Sequence, residues 1–259
     1  MQNREHNIFN MHDVYQQVHT MYSADCDIHG RWKLSTVLDV MQSTADRHNE
    51  ILKCSRKYLA DQGLVWVLFK TVIHMERYPQ IGEQVTVRTY TKAPCMHFFP
   101  RYYELIFSDG QCAGRAGSFW VLFDIRTKKP VRPKEKNIFF PENSNAPALV
   151  DLLSRALEPE EGEKIISEYR PVCCDIDING HVNNTRYVDW LYNLLGLDNI
   201  RKYAIESAII EYNYETLPEH VLQNCLIHDG NLFSCKGYEN NTVHFSITGT
   251  LKEKKRPDL

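Results

Sequence analysis

The 259-residue chain predicts an α+β protein in which one plan, a long helix against a curved antiparallel sheet, is made twice in tandem. Three observations support this. DIHGRWKLSTVLDVMQ (27–42) lies over DINGHVNNTRYVDWLY (177–192) at a constant offset, with identities at Asp27/Asp177, Ile28/Ile178, Gly30/Gly180 and Asp39/Asp189. Each copy then enters a stretch of helical period, and each such stretch is followed by β-rich sequence. Duplication of one unit accounts for this more simply than two unrelated α+β domains.

In the first copy Leu34, Val37, Leu38, Met41 and Ala45 recur at the spacing of one helix face, predicting a helix over 34–52. Val188, Leu191, Leu194 and Leu195 do the same in the second. LVWVLFKTVIHME (64–76) is apolar on both faces, so it reads as a long strand covered on both sides. EQVTVRTYTKA (83–93) alternates, and 101–127 gives two strands joined around Ser108-Asp109-Gly110. ESAIIEYNY, HVLQNCLI, NLFSCKGYE and NTVHFSITGTL repeat the series, with turns at Asp229-Gly230 and Asn240-Asn241. Five of the eleven prolines fall between Pro130 and Pro159, which marks a connecting segment with a short helix expected around Leu149–Leu157. The division expected is 1–135, a linker over 136–163, and 164–259.

The net charge of −3 argues against nucleic acid as the main partner. The longest apolar run, Leu64 to Phe69, is far below the roughly 20 residues that span a bilayer. MQNREHNIFNMHDVY lacks the apolar core of a signal peptide, so export is not expected. The eight cysteines then read as reduced thiols, with adjacent Cys173 and Cys174 expected to be buried small fillers.

The stretch DIDINGHVNNTRY (175–187) carries the chemistry. Asp175, Asp177, Asn179 and His181 occupy alternate positions, so an extended chain would project them to one side, opposite Ile176 and Ile178. Gly180 lets the chain turn, and Asn183, Asn184 or Thr185 can cap the helix that follows. Backbone N–H groups near Val182–Asn184 could hold an oxyanion there. A carboxylate can activate water or attack an acyl group, and a histidine beside it can move a proton. A thioester suits this set, because its carbonyl is electrophilic and its thiolate leaves readily. Asp and Asn also make plain turns, and a histidine can merely cap one. The first copy weighs against that reading: it has His29 and Arg31 where the second has Asn179 and His181.

These residues resemble the fatty acyl-ACP thioesterases of plants and bacteria, built from two fused hotdog domains. The signature D-x-D-x-N-x-H-V-N-N-x-[KR]-Y is met by Asp175, Asp177, Asn179, His181, Val182, Asn183, Asn184, Arg186 and Tyr187. A second signature, E-Y-x-x-E-C opening a strand after the helix, is met by EYNYET (211–216), with Thr216 in place of the cysteine. VMQSTADRH, the 64–90 stretch and GRAGSFWVLFDIRTKKPVR are also similar to the family, over roughly residues 20–250. The resemblance implies a catalytic set of Asp177, Asn179, His181 and Glu215, no cofactor or metal, and hydrolysis of fatty acyl-acyl carrier protein. Thr216 speaks against a required cysteine nucleophile. Asp177 and Glu215 remain equal candidates for base or nucleophile.

The family places the acyl chain in the first half, where Met41, Trp66 and Phe69 are plausible lining. The acidic carrier protein calls for a basic face, and RTKKPVRPKEK (126–136) and KEKKR (252–256) are candidates. With no transit segment or N-terminal anchor recognisable, a cytoplasmic bacterial member is expected, with a homodimer left open. Rival readings are a hotdog enzyme acting on acyl-CoA or an enoyl thioester, and a non-catalytic acyl-thioester sensor.

Overall fold

A computed structural model describes residues 13–132, 138, 140–155 and 157–254. In chain order they form β1 (Val14–Thr20), α1 (Leu34–Ile51), α2 (Arg56–Ala60), β2 (Leu64–Met75), β3 (Gln84–Thr91), β4 (Phe98–Phe107), β5 (Cys112–Asp124) and the short β6 (Lys129–Pro130). The second half gives β7 (Glu163–Tyr169), α3 (Arg186–Lys202), β8 (Tyr203–Tyr212), β9 (Leu222–Asp229), β10 (Leu232–Glu239) and β11 (Thr242–Glu253). The predicted α+β plan is present twice.

Both copies share one sheet, in the order β1-β3-β4-β5-β2-β8-β11-β10-β9-β7. Its middle is the antiparallel β2–β8 pair, running from Lys70↔Glu211 to His74↔Ser207. β2 is apolar on both faces because both are covered: Ile73 and Met75 enter the helix-side core, and Val72 packs with Leu149, Val150 and Leu152 on the other side. The apolar faces of α1 and α3 join Val85, Val87, Leu105, Phe233 and Ile247 in one core rather than two.

β1 and β7 escape the sequence reading. They are the edge strands, rich in polar residues, and each pairs with a strand far along the chain, β1 with β3 and β7 with β9. The helix expected around 149–157 is absent among the described residues. Leu149, Val150 and Leu152 instead lie across the sheet face opposite the helices, against Val72, Tyr90, Tyr102 and Phe119. Tyr90 Oη donates to the Pro147 carbonyl (2.7 Å), Lys70 Nζ to the Ser154 carbonyl (2.7 Å), and Lys236 Nζ meets Glu158 Oε2 (2.6 Å). The linker is therefore a strap over both halves. Cys173 and Cys174 are exposed rather than buried fillers, because they lie in a short 3-10 turn; Cys54 and Cys235 are the buried ones.

The turn before each long helix is built the same way twice. In the first copy Asp27 Oδ1 accepts the N–H groups of His29 (2.8 Å) and Arg31 (3.2 Å), and Cys26 bridges Trp32. In the second, Asp177 Oδ1 accepts those of Asn179 (2.7 Å) and His181 (3.4 Å), and Ile176 bridges Val182. Gly30 (φ +67°) and Gly180 (φ +82°) close these turns in the left-handed region, where a side chain would be strained.

Two stability predictions follow from these contacts. Lys70 Nζ joins the Ser154 carbonyl of the strap to Glu211 of the second half (3.5 Å) in a nearly buried setting. Lys70→Met should cost about 1–3 kcal/mol, read from denaturant unfolding. Asp27→Ala would remove two backbone bonds and leave Lys254, 3.4 Å away, without its carboxylate. A loss of about 2 kcal/mol or more is expected, read the same way.

Candidate active site

Residues 175–181 do not form the extended rank that alternation suggests. The 3-10 turn and the Asp177 turn rotate successive side chains, so Asp175 is buried and Ile178 is 78% exposed. Asp175 Oδ2 accepts the Tyr169 hydroxyl (3.0 Å) and the Val172 N–H (2.9 Å), a structural role. Asp177 Oδ2 accepts Asn179 Nδ2 (3.2 Å), while Asn179 Oδ1 accepts Nε of Arg56 (3.1 Å) from α2 of the first half. The Asn179 amide is thus held from both ends. Arg56 was outside the sequence reading, because nothing local links α2 to this turn.

EYNYET ends a strand rather than opening one: β8 stops at Tyr212, and Glu215 lies in the loop beyond it. That loop is tied to the turn by the Val182 N–H donating to the Thr216 carbonyl (2.9 Å). The tie brings Glu215 Oε2 to 3.5 Å from His181 Nε2, with His181 partly covered and Glu215 largely open to water. Beneath them Tyr187 is buried, and its phenol is pushed up to about 12, first by burial and then by the nearby Asp177 and Glu215 charges against a hydrogen bond from Thr216. Asp177, Asn179, His181 and Glu215 thus lie on one turn and the loop tied to it, as two contacting pairs, Asp177 with Asn179 and His181 with Glu215. Thr216, fully buried, also bonds His244 Nδ1 (3.1 Å). Its only sequence signal was its departure from cysteine.

The first copy acts as an internal control. There the Trp32 N–H donates to the Pro79 carbonyl (3.0 Å), as Val182 does to Thr216, so Tyr78 stands where Glu215 does. Tyr78 is buried and donates to the Ile205 carbonyl (2.8 Å). The turn-building aspartate is common to both copies. Asn179, His181 and Glu215 are replaced by His29, Arg31 and Tyr78.

The helix starts differ too. Val182 and Asn183 N–H groups are already used, by the Thr216 and Asp175 carbonyls, so they cannot serve an oxyanion. Asn183 does the capping: its Oδ1 accepts the Thr185 N–H (3.0 Å). In the first copy the Leu34 N–H is taken by the Tyr192 hydroxyl (3.3 Å). The corresponding N–H of Asn184 has no hydrogen-bond partner among the described residues, and Gln42 replaces the tyrosine opposite.

Asn184 and Gln42 border a narrow cavity between α1 and the first-half sheet, lined further by Leu38, Met41, Tyr103 and Trp120. In the second half the corresponding helix packs tightly, with Tyr187 on Phe245 (ring centroids 4.5 Å) and Trp190 on Tyr169 (4.2 Å). Val37 and Val40 stand at those helix positions in the first half. Of the residues named as plausible lining, Met41 borders this cavity. Trp66 belongs to a separate cluster with Leu64 and Phe99, and Phe69 lies on the outer face against Phe98. In the basic runs, 133–137 and 255–256 lie outside the described residues, and Lys254 is committed to Asp27.

Comparison with known proteins agrees with this architecture. The acyl-ACP thioesterase N-terminal domain family matches residues 12–138, and the C-terminal domain family matches 158–250. A palmitoyl-acyl carrier protein thioesterase of Cuphea hookeriana is 26% identical over 226 residues, covering 82% of this chain and 54% of its own length. The chain thus spans about half the length of the curated relatives it matches. Among solved structures, an acyl-ACP thioesterase from Bacteroides thetaiotaomicron superposes with a TM-score of 0.82 at 20% identity, covering 92% of this chain and 98% of that one. A 12:0-ACP thioesterase from Umbellularia californica gives 0.83 at 20% identity, covering 93% and 98%. Both share the double hotdog fold. With both domain families matched in order across most of its length, the chain belongs to the acyl-ACP thioesterase family.

Proposed function

We propose that this protein hydrolyses the thioester of fatty acyl-acyl carrier protein, with Glu215 as general base and His181 as its partner. The observation that carries the reading is the His181–Glu215 contact at 3.5 Å, which the duplicated first half lacks. Glu215 takes a proton from water as the water oxygen attacks the acyl carbon. The developing oxyanion is met by the Asn184 N–H at the mouth of the cavity. As the carbon–sulfur bond breaks, the proton passes through His181 to the thiolate. Asp177 holds the turn and, through Nδ2, orients Asn179, whose counterpart oxygen is fixed by Arg56. Because Asp27 makes the same backbone bonds in a half without the set, Asp177 is assigned to positioning and Glu215 to chemistry.

The acyl chain is assigned to the first-half cavity, supported by its apolar lining of Leu38, Met41, Leu68 and Trp120 and by Gln42 standing where the second half has Tyr192. The domain division at 1–135 and 164–259 is kept, with the intervening strap attached to both halves. We place the activity in a bacterial cytoplasm; the eight cysteines, all free, support a reducing compartment. Among the described residues no helix is long and apolar enough to cross a membrane.

Hydrolysis of acyl-ACP and acyl-CoA, followed by free thiol, tests the reading; preference for the CoA ester would overturn the carrier assignment. Glu215→Gln and His181→Ala should each lower kcat by about 10²–10⁴-fold, with melting unchanged. Asp177→Ala should lose activity and stability together. Full turnover by His181→Ala would end this mechanism. Met41→Trp, which would fill the cavity that Met41 lines, should lower kcat/KM for long-chain acyl-ACP by about tenfold or more while sparing short chains.

A further inference from the structure

Beside Glu215, away from the acyl cavity, lies a second concavity bounded by Tyr214, Glu215, His220, Glu239 and His244. Its wall gathers two histidines and a carboxylate that the hydrolytic mechanism does not use. Glu239 ends β10 and His244 lies in β11 across the Asn240-Asn241 hairpin, while His220 comes from the loop before β9. Glu239 Oε2 is 3.7 Å from His220 Nδ1 and 3.7 Å from His244 Nε2, and one donor atom from each of the three residues lies within 4.8 Å of the other two.

We propose that His220, Glu239 and His244 form a binding site for a zinc-class divalent cation. Two imidazoles and one carboxylate are donors that such an ion takes, at bond lengths of about 2.0–2.2 Å. Those lengths put tetrahedral ligands roughly 3.3–3.6 Å apart, so the two 3.7 Å spacings to Glu239 close by a few tenths of an ångström, while the two histidine nitrogens start from within 4.8 Å of each other. Two of the three donors are already aimed by a neighbour. His244 Nδ1 is bonded to Thr216 Oγ1 (3.1 Å), which leaves Nε2 for the ion. Glu239 Oε1 accepts the Val221 N–H (3.1 Å), leaving Oε2. Partners of this kind fix ring orientation and tautomer in metal sites. His220 differs: the Leu217 N–H approaches its Nδ1 (3.3 Å), and the ion would displace that contact. His244 is nearly buried and the other two are about three-quarters covered, so the ligands are restrained, while the remaining coordination position faces the concavity. The site joins the hydrolytic centre through Thr216, next to Glu215.

Calorimetric titration of zinc alone into the full chain should show one saturable ion per chain. Glu239→Gln and His244→Gln should each weaken it by more than the roughly 10–100-fold that outer-shell changes cost. The Cys173→Ser/Cys174→Ser double variant and His181→Gln should bind as the parent does. Cobalt in place of zinc should give a visible spectrum without thiolate charge-transfer bands. Because Glu239 and His244 also support the hairpin, His220→Asn in the loop repeats the test where they fail to fold. Absence of saturable binding in the parent overturns the proposal, as does loss of binding in the cysteine variant with retention in Glu239→Gln.

Discussion

The backbone ladder between β2 and β8 is the constraint from which the rest follows. It joins two sheets into one, so neither copy has an open strand at its inner edge. It also fixes the distance and direction between the helices that each sheet carries. α1 and α3 come side by side, with Arg186 reaching Asp39 (3.7 Å) and the Leu34 N–H reaching Tyr192. The start of each helix thereby faces the body of the other. The candidate site is formed at that junction.

Duplication then allows the copies to diverge without changing the frame. Both keep the aspartate that accepts its own turn's N–H groups, since the turn depends on it. Elsewhere the needs differ. The second half fills its core with Tyr187, Trp190 and Phe245, giving a rigid base beneath His181 and Glu215. The first half carries valines at the matching helix positions, and beside them a narrow cavity bordered by Leu38, Met41 and Gln42. An interior packed to ordinary density has no space for a ligand, so a slot requires smaller side chains somewhere.

Much of this was legible in the residues. The helix faces, the turn glycines and the doubly apolar β2 were local patterns with periods of their own. The internal repeat identified which residues depart between copies. Other features were misread for identifiable reasons. Alternation in 175–181 suggested an extended chain, but two successive turns rotated the side chains and buried Asp175. Leu149, Val150 and Leu152 had helix-like spacing, yet a bare sheet face recruited them as an extended cover. β1 and β7 were too polar to declare themselves, because an edge strand satisfies its backbone on one side and faces water on the other.

The sequence by itself determined the duplicated α+β plan, the chain reversal at Gly180, and the confinement of the Asn179, His181 and Glu215 set to the second copy. Such features arise from neighbours along the chain or from comparing one copy with the other. Only the tertiary structure decided that Glu215 approaches His181, that Arg56 holds Asn179, and that the Asn184 N–H stays open while that of Leu34 is taken. Each depends on the register of β2 against β8 and on how the following loop is tied back to the turn. A register is a property of two distant segments at once, so no single stretch of residues could state it.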